Sequence, residues 1–168
     1  MSTDAGYWIE KLGLSVHPEG GYWAQTYRSH EWIAGPCLPD RFDGPRILSS
    51  GIYYLLEGSQ ASVLHRIKSD ELWHYYAGSS LTLYAIDAAG ALSEKKLGSD
   101  FENMESFQVV VTAGCWFGAV VNDPSSYSLV GCTVAPGFEF QDFETGSRKE
   151  LLEQYPRHGS IIERLTLR

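Results

Sequence analysis

Long apolar runs, clusters of basic residues and paired cysteines are all missing from this 168-residue chain. No apolar stretch reaches the roughly 20 residues that span a bilayer, and the N-terminus lacks the basic-then-apolar order of a signal peptide. The three cysteines, Cys37, Cys115 and Cys132, have no C-x-x-C spacing, which predicts free thiols. We therefore expect a cytoplasmic protein without a membrane partner.

The balance of charge excludes a second class of partner. The chain has 21 acidic and 13 basic residues, a net charge of −8, and no segment in which lysines or arginines collect. Proteins that bind nucleic acids neutralise phosphates with such basic patches. The composition therefore predicts no nucleic-acid partner.

Short strand-forming runs separated by turn residues make up most of the chain. Aromatic and β-branched residues predict strands over 22–27, 48–56, 62–67, 71–76, 80–87, 108–112, 116–121, 128–134 and 139–143. Short helices are predicted only near the ends, over 4–12, 147–155 and 160–165. Residues 29–46 are predicted to form a long loop, of the kind that often serves as a lid or an interface. The pattern indicates an all-β sandwich or barrel.

The length and composition are typical of one domain. With 43% hydrophobic and 13% aromatic residues, the chain can bury a sizeable core. We expect a single domain over residues 1–168, with a barrel core over about 17–143 and a helical extension over about 147–168.

The segment 64–78 holds the only cluster with the chemistry of a site. Alternation along a strand over 62–67 places His65 on the same face as Val63 and Ile67. On the next strand, Glu71 and His74 point to opposite faces. Only one of them can therefore join His65, unless a β-bulge intervenes.

The spacing in this segment resembles the first motif of the cupins, in which H-x-H is followed by a glutamate and then a glycine. His65, Glu71 and Gly78 keep the spacing, while Ile67 replaces the second histidine. Of the second motif only Gly114 remains, and Phe117 stands where a histidine is usual. The phrases HPEGGY (17–22), TYRS (26–29), SDELWH (69–74), AGCWF (113–117) and VGCTVAPGF (130–138) are similar to the small cupin-5 branch, domain of unknown function 985.

This resemblance implies the fold and several properties of the site. It implies an RmlC-like double-stranded β-helix, or jelly roll, with the first motif lining the interior, and a homodimer. Cupins that bind a metal offer three histidines and a glutamate, but here only His65 and Glu71 match. We therefore expect no metal cofactor, and an apolar wall that suits a small organic ligand.

A second resemblance concerns the chemistry. Residues 18–28 look like the early strand of deoxysugar-nucleotide epimerases, in which a histidine is the base and a tyrosine returns the proton. By this resemblance His65 is the base, and either Tyr54 or Tyr75 is the acid. Glu71 or Asp142 is then the carboxylate that orients the imidazole.

Three functions stay open from the sequence. The first is a metal-independent epimerase or isomerase acting on a sugar-like or keto compound, with His65 as general base. The second is a cupin that binds a carbohydrate-like ligand without changing it. The third is a metal-dependent oxygenase or isomerase in which His65, Glu71 and His74 hold a divalent metal. The candidate ligand-binding residues are Glu71, Trp73, His74, Gln108, Trp116 and Cys132, although aromatic residues and cysteines in strands are more often part of a core.

Overall fold

Aromatic and β-branched residues form strands along most of the chain, and these strands build two sheets that face each other. The computed structural model describes residues 4–167. The strands in this range are β1 (Ser15–Val16), β2 (Tyr22–Arg28), β3 (Trp32–Ile33), β4 (Arg46–Ile47), β5 (Ser50–Glu57), β6 (Ala61–Arg66), β7 (Asp70–Gly78), β8 (Leu81–Ile86), β9 (Leu92–Leu97), β10 (Glu105–Ser106), β11 (Gln108–Val111), β12 (Trp116–Val121), β13 (Tyr127–Ala135) and β14 (Glu144–Thr145).

The order of the strands is that of a jelly roll. One sheet has the order β1-β2-β5-β13-β7-β11, the other has the order β10-β9-β8-β12-β6-β14, and β3 pairs with β4. Neighbouring strands are antiparallel except β9 and β10, which are parallel. Strands far apart in the chain, such as β5 and β13, lie side by side. The predicted all-β double-stranded β-helix with short terminal helices is confirmed.

Three short helices pack on the outer faces of the two sheets. Helix α1 (Ala5–Lys11) lies against the first sheet, where Trp8 Nε1 donates a hydrogen bond to Tyr127 Oη at 2.8 Å. Helices α2 (Arg148–Gln154) and α3 (Gly159–Arg164) cover the second sheet through Leu151 and Ile162. Single 3-10 turns lie at Gly35–Cys37, Phe101–Asn103, Phe140–Asp142 and Pro156–His158. Within residues 4–167, no helix has both the length and the apolar character needed to cross a membrane.

Three sequence predictions differ from the structure. Residues 139–143 are not a strand, because the chain makes a 3-10 turn there that brings Asp142 to Arg46. Strand β9 was not predicted, because four of its six residues are exposed and polar and give no apolar alternation. The segment 29–46 is not a plain loop, since it contains β3, a 3-10 turn and the start of β4.

Three β-bulges interrupt the regular alternation. Strand β2 has an extra residue at Thr26 opposite β5, and β7 has one at Tyr76 opposite β13. Strand β6 has one extra residue between Ser62 and His65. These two residues, three positions apart, pair with Ala119 and Phe117 of β12, which are two positions apart. A bulge lets residues three positions apart point to the same face of the sheet. Two of these bulges shape the cavity described below.

A tight turn between β1 and β2 depends on two glycines. Gly20 has φ +102° and Gly21 has φ +74°, a region that side chains rarely adopt. Two backbone hydrogen bonds close the turn. Gly20 N donates to the carbonyl oxygen of His17 at 3.0 Å, and His17 N donates to the carbonyl oxygen of Gly21 at 2.9 Å. A Cβ at Gly20 would collide with the carbonyl oxygen of Ala61. The turn is therefore held close to β6.

Replacing Gly20 tests this close approach. Gly20→Ala adds both a collision with rigid backbone and a strained φ, so we expect it to lower the free energy of unfolding by roughly 3 kcal/mol or more. Urea denaturation measures the loss. Gly13→Ala is the control, because Gly13 has φ +61° and nothing within 4 Å of its Cβ position, so about 1 kcal/mol is expected. Equal losses in the two variants would contradict this account.

A fully buried ion pair anchors the segment that follows β13. Arg46 bonds Asp142 through two contacts of 2.6 Å, from Nε to Oδ2 and from Nη2 to Oδ1. Its Nη1 donates to the carbonyls of Gly44 and Pro45 at 3.0 and 2.9 Å. Such a bidentate pair fixes both partners in direction as well as in distance. It therefore fixes the end of the 29–46 segment against the 3-10 turn.

Removing Arg46 leaves the buried carboxylate of Asp142 with only a longer contact, at 3.7 Å, to Lys68 Nζ. We expect Arg46→Met to lower the free energy of unfolding by about 3 to 5 kcal/mol, measured by urea denaturation. Lys11→Met, which removes the exposed contact between Lys11 and Glu10, serves as the control and should cost less than about 1 kcal/mol. A loss in Arg46→Met as small as in the control would show that the pair does not anchor the segment.

Candidate functional site

A cavity opens between the two sheets and takes in much of the predicted site. It encloses about 850 Å³, a volume that includes the open space at its mouth. Five residues predicted from the sequence line it, namely Tyr54, His65, Glu71, Trp73 and Cys132. Aromatic and aliphatic side chains form most of the remaining wall.

The pairing of four strands arranges one wall of the cavity in rows. Near the mouth, strand register aligns Arg28, Ser50, Val134 and Glu71 across β2, β5, β13 and β7. The next row inward consists of Gln25, Ile52, Cys132 and Trp73. Deeper still, Trp23 pairs with Tyr54. The rows place Glu71 near the entrance and Tyr54 deep in the barrel.

His65 lies on the opposite sheet as a buried imidazole in a fixed orientation. Its ring packs between Phe117 and Phe143, with centroid distances of 4.1 and 5.5 Å. Its Nδ1 lies 2.7 Å from the carbonyl oxygen of Val63, which can only accept a hydrogen bond. The proton is therefore on Nδ1, and Nε2 carries the lone pair. Burial lowers the pKa of His65 to about 4, so the ring is neutral at physiological pH.

Glu19 is the carboxyl group next to this imidazole. Its Oε2 lies 3.4 Å from His65 Nδ1 and accepts a hydrogen bond from Ser62 Oγ at 3.3 Å. The β6 bulge makes this possible, because it turns Ser62 and His65 to the same face. Burial, and then the charge of Glu71, raise the pKa of Glu19 well above its usual value. Glu19 is therefore held as a neutral acid.

Sequence reasoning did not assign Glu19 to the site. It named Glu71 or Asp142 as the carboxylate that orients His65, but Asp142 is bound to Arg46. Glu19 belongs to the glycine turn ahead of β2, 46 positions before His65 in the chain. An acidic residue directly before two glycines was the available signal, although nothing in the sequence showed which strand the turn would approach.

A second histidine, also missed, joins the deep end of the cavity. The backbone N–H of Glu19 donates to His17 Nδ1 at 3.2 Å, so the proton of this neutral ring is on Nε2. The ring meets Trp23 and Tyr54 edge to face, with both centroids at 5.5 Å. Burial lowers the pKa of His17 to about 4. Glu19 is thus surrounded by neutral groups.

Glu71 differs from Glu19 in how easily it ionises. Burial raises the pKa of Glu71 to about 7, and a hydrogen bond with the Cys132 thiol opposes the rise. Burial likewise raises the pKa of Cys132 well above its usual value, which keeps it a thiol. Near neutral pH, Glu71 therefore exists in both its acid and its carboxylate forms.

The hydroxyl proton of Tyr54 is used in a hydrogen bond within the protein. Tyr54 Oη donates to the carbonyl oxygen of Gly20 at 2.7 Å. Burial, and then the charge of Glu19, raise the pKa of Tyr54 well above its usual value. Tyr54 therefore supports the glycine turn and is a poor candidate for the acid that returns a proton.

Four predicted site residues lie outside the cavity. Tyr75 is directed to the far end of β7, where its hydroxyl donates to Gly78 O at 2.5 Å. His74 faces outward, with Nε2 at 3.1 Å from Thr133 Oγ1 and Nδ1 at 3.1 Å from Gln108 Nε2. Trp116 packs under the C-terminal helices, in the outer cluster of the second sheet. Alternation along the strands explains the outward positions of His74, Gln108 and Trp116, whereas Tyr75 shares the inner face with Glu71 and Trp73 but lies farther along β7, beyond the cavity.

The proposed ligand triad of His65, Glu71 and His74 does not form. The bulge on β7 is at Tyr76, beyond both Glu71 and His74, so these two side chains remain on opposite faces. Glu71 therefore joins the cavity and His74 does not. The alternative that the sequence left open is decided in favour of the carboxyl group.

The comparisons with known proteins agree with this architecture. The family model described as Cupin superfamily (DUF985) matches residues 6–146. This chain belongs to that cupin family. No curated protein matches it.

Solved structures similar to this cupin include proteins at high and at low sequence identity. A Shewanella oneidensis protein, determined by X-ray crystallography as a structural-genomics target, is 40% identical, with a TM-score of 0.88 over 99% of each chain. A hypothetical protein from Leishmania major is 32% identical, with a TM-score of 0.89 over 99% of this chain and 100% of that one. Oxalate decarboxylase from Bacillus subtilis is 13% identical, with a TM-score of 0.54 over 89% of this chain and 36% of that one. This last similarity shows the fold alone.

The residues of this cupin do not fit a metal site. At the places where cupins that bind a metal have histidines, the apolar side chains of Ile67 and Phe117 fill the wall instead. Among residues 4–167, no group of three or more histidine, cysteine, aspartate or glutamate side chains is arranged to hold a metal ion. Of the usual cupin ligands only His65 and Glu71 are present, which is fewer than catalytic sites of zinc or non-haem iron use. His17 and Glu19 lie nearby, but His17 Nδ1 and Glu19 Oε2 accept hydrogen bonds from Glu19 N and Ser62 Oγ.

The raised pKa of Glu71 predicts how stability depends on pH. Between its ordinary pKa of 4.5 and about 7, the folded cupin keeps a proton that the unfolded chain has lost, so stability falls as pH rises through this window. Glu71→Gln removes this loss. Above about pH 7 the variant should be more stable than wild type by about 3 kcal/mol, and the gain should disappear below pH 4.5.

Urea denaturation across this pH range checks the prediction. Glu144→Gln is the matched control, because Glu144 lies on the surface, and its substitution should leave the pH profile of wild type unchanged. A gain in Glu71→Gln that is the same at every pH would show that a change in packing, and not ionisation, is responsible.

Proposed function

We propose that this cupin binds a small sugar-like carbonyl compound in the cavity and isomerises it by proton transfer, without a metal cofactor and with His65 as general base. One observation carries the proposal. A neutral imidazole, whose lone pair on Nε2 is set by the hydrogen bond of Nδ1 to Val63, shares a cavity with a carboxyl group whose pKa is about 7. A ring nitrogen free to accept a proton, together with a carboxyl group that ionises near neutral pH, is what general acid–base catalysis requires.

The reaction needs one proton removed and one returned. His65 Nε2 takes the proton from the carbon next to the carbonyl, and the C–H electron pair becomes the double bond of an enol. The carbonyl oxygen accepts a proton from a carboxylic acid, for which Glu71 is the candidate. The protonated His65 then returns its proton to the former carbonyl carbon, and the hydroxyl on the neighbouring carbon gives its proton to the Glu71 carboxylate and becomes the new carbonyl, which gives the isomer and restores both groups. Every proton is exchanged between the cavity and the substrate, so no oxidant or reductant is consumed.

The wall of the cavity supports a ligand of this class. Trp23, Trp73 and Phe138 present aromatic surface, on which sugar rings can stack, while Gln25 and Ser50 supply polar groups. Trp73 Nε1 is buried and has no hydrogen-bond partner among residues 4–167. A buried donor without a partner costs about 1 to 3 kcal/mol, which an acceptor oxygen on a ligand would offset.

Binding without chemistry is the second candidate function. The observation in its favour is the pKa of His65, which burial lowers to about 4 and which makes the imidazole a weaker base than in water. In this case the neutral acids and the aromatic wall would hold a carbohydrate-like molecule unchanged. The experiment below separates the two functions.

Three further parts of the proposal have other support. The length and composition favour a single domain over residues 1–168, the resemblance to the family favours a homodimer, and the spacing of the cysteines favours a location in the cytoplasm. None of these parts is needed for the chemistry, because every group invoked above lines the cavity of one chain.

Exchange of hydrogen with solvent tests the proposed reaction. The protein is incubated in D2O with a panel of aldoses, ketoses and 2-oxo acids, and proton NMR follows the loss of the signal next to the carbonyl. We expect exchange with at least one compound, and a decrease of about 100-fold or more in His65→Asn, because the base is lost. His74→Asn is the matched control, since this histidine lies outside the cavity, and should exchange at the rate of wild type.

Two results would contradict the reaction. One is an unchanged rate in His65→Asn, and the other is a compound that the protein retains but returns without deuterium. The second result would establish binding without chemistry.

A further inference from the structure

The mouth of the cavity has a single basic side chain in its lining. Arg28 Nη2 bonds Glu139 Oε1 at 2.6 Å, and the other donors of the guanidinium have no partner among residues 4–167. The two side chains are 40% and 27% exposed, so water reaches both. A single ion-pair contact at this exposure contributes little stability, at most about 1 kcal/mol. Glu139 is therefore a partner that another anion can replace.

The bulge on β2 is what directs Arg28 to the cavity. Gln25 and Arg28 are three positions apart, and the extra residue at Thr26 brings both to the inner face. Without the bulge, regular alternation would place Gln25 and Arg28 on opposite faces. The same device on β6 brings Ser62 and His65 together. Bulges that redirect side chains are frequent next to functional sites.

We propose that the ligand of this cavity carries an oxyanion group, a carboxylate or a phosphate, that binds Arg28 at the mouth in place of Glu139. The planar guanidinium presents pairs of N–H donors that match two oxygens of one anion. Glu139 engages only one of these donors, so an oxyanion that makes two bonds competes well with it. The inference rests on the proposed function in using the same cavity for the rest of the ligand.

The position of the charged groups sets the direction of the ligand. Around Glu19 and His65 the cavity is buried and its imidazoles are neutral, so a negative group on the ligand would lose its hydration there without gaining a positively charged partner. The anionic end therefore stays at the mouth beside Arg28. The uncharged carbonyl end is then the part that reaches His65.

Titration with simple anions tests the site directly. Inorganic phosphate and acetate are added separately at constant ionic strength, adjusted with chloride, and the fluorescence of the tryptophans is followed, since Trp23 and Trp73 line the cavity. We expect saturable binding of at least one of the two anions, and the anion that binds identifies phosphate or carboxylate as the group recognised. Arg28→Gln should weaken this binding about 10-fold or more, because a charge-assisted pair is lost.

The variant at Glu139 makes the test specific. Glu139→Gln removes the competing carboxylate, so it should strengthen anion binding by about 3-fold or more, the opposite of what general damage to the site would do. Arg66→Gln and Glu144→Gln are matched controls, because these residues form a similar exposed pair at 2.7 Å outside the cavity. Both controls should bind the anion as wild type does.

Further measurements keep the outcome clear. Circular dichroism confirms that Arg28→Gln is folded, and Arg28→Lys keeps the charge but loses the planar fork, so its affinity should lie between wild type and Arg28→Gln. Absence of saturable binding in both wild type and Glu139→Gln would overturn the inference, as would wild-type affinity in Arg28→Gln. Anion binding without deuterium exchange would support the anion site and contradict the proposed reaction. Deuterium exchange at the same rate in Arg28→Gln and wild type would support the reaction and contradict the anion site.

Discussion

Burial of polar side chains between the two sheets controls which of them are charged. His17 and His65 lose their charge because burial lowers the pKa of each to about 4, and burial raises the pKa values of Glu19 and Glu71. His65 and Glu19 approach to 3.4 Å, yet desolvation keeps both neutral. The result is a set of buried hydrogen-bonding groups of which Glu71 alone ionises near neutral pH.

The shifted pKa values of the two histidines and the two glutamates also make the stability of the folded protein depend on pH. The two histidines lower stability as pH falls below 6.5, since the unfolded chain then binds protons that the folded state refuses. The two glutamates lower stability as pH rises above 4.5, for the opposite reason. Between these values the two effects oppose each other. Within this range the two histidines are neutral, and Glu71 ionises only as the pH approaches 7.

The fold was largely predictable from local pattern, and the site only in part. Runs of aromatic and β-branched residues, broken by glycine and proline, place most strands within one or two residues of their observed ends. Period-two alternation correctly directs His65 inward and leaves the choice between Glu71 and His74 open. It fails for Arg28 and Ser62, because each strand has a bulge that turns the following side chains to the other face, and no residue type in the sequence predicts where a bulge occurs. It could not identify Glu19, whose approach to His65 depends on which turn meets which strand.

Residue types and their spacing were enough to identify the class of fold and the family, to show that two of the usual metal ligands are absent, and to place His65 and Glu71 on strands. These features depend on residues a few positions apart in the chain. The assembled sheets were needed to show that Glu19, His17 and Arg28 share the cavity, and that Tyr75, His74, Gln108 and Trp116 do not. The physical reason is that strand register, three bulges and desolvation are properties of the assembled sheets, and each depends on contacts between segments distant in the chain.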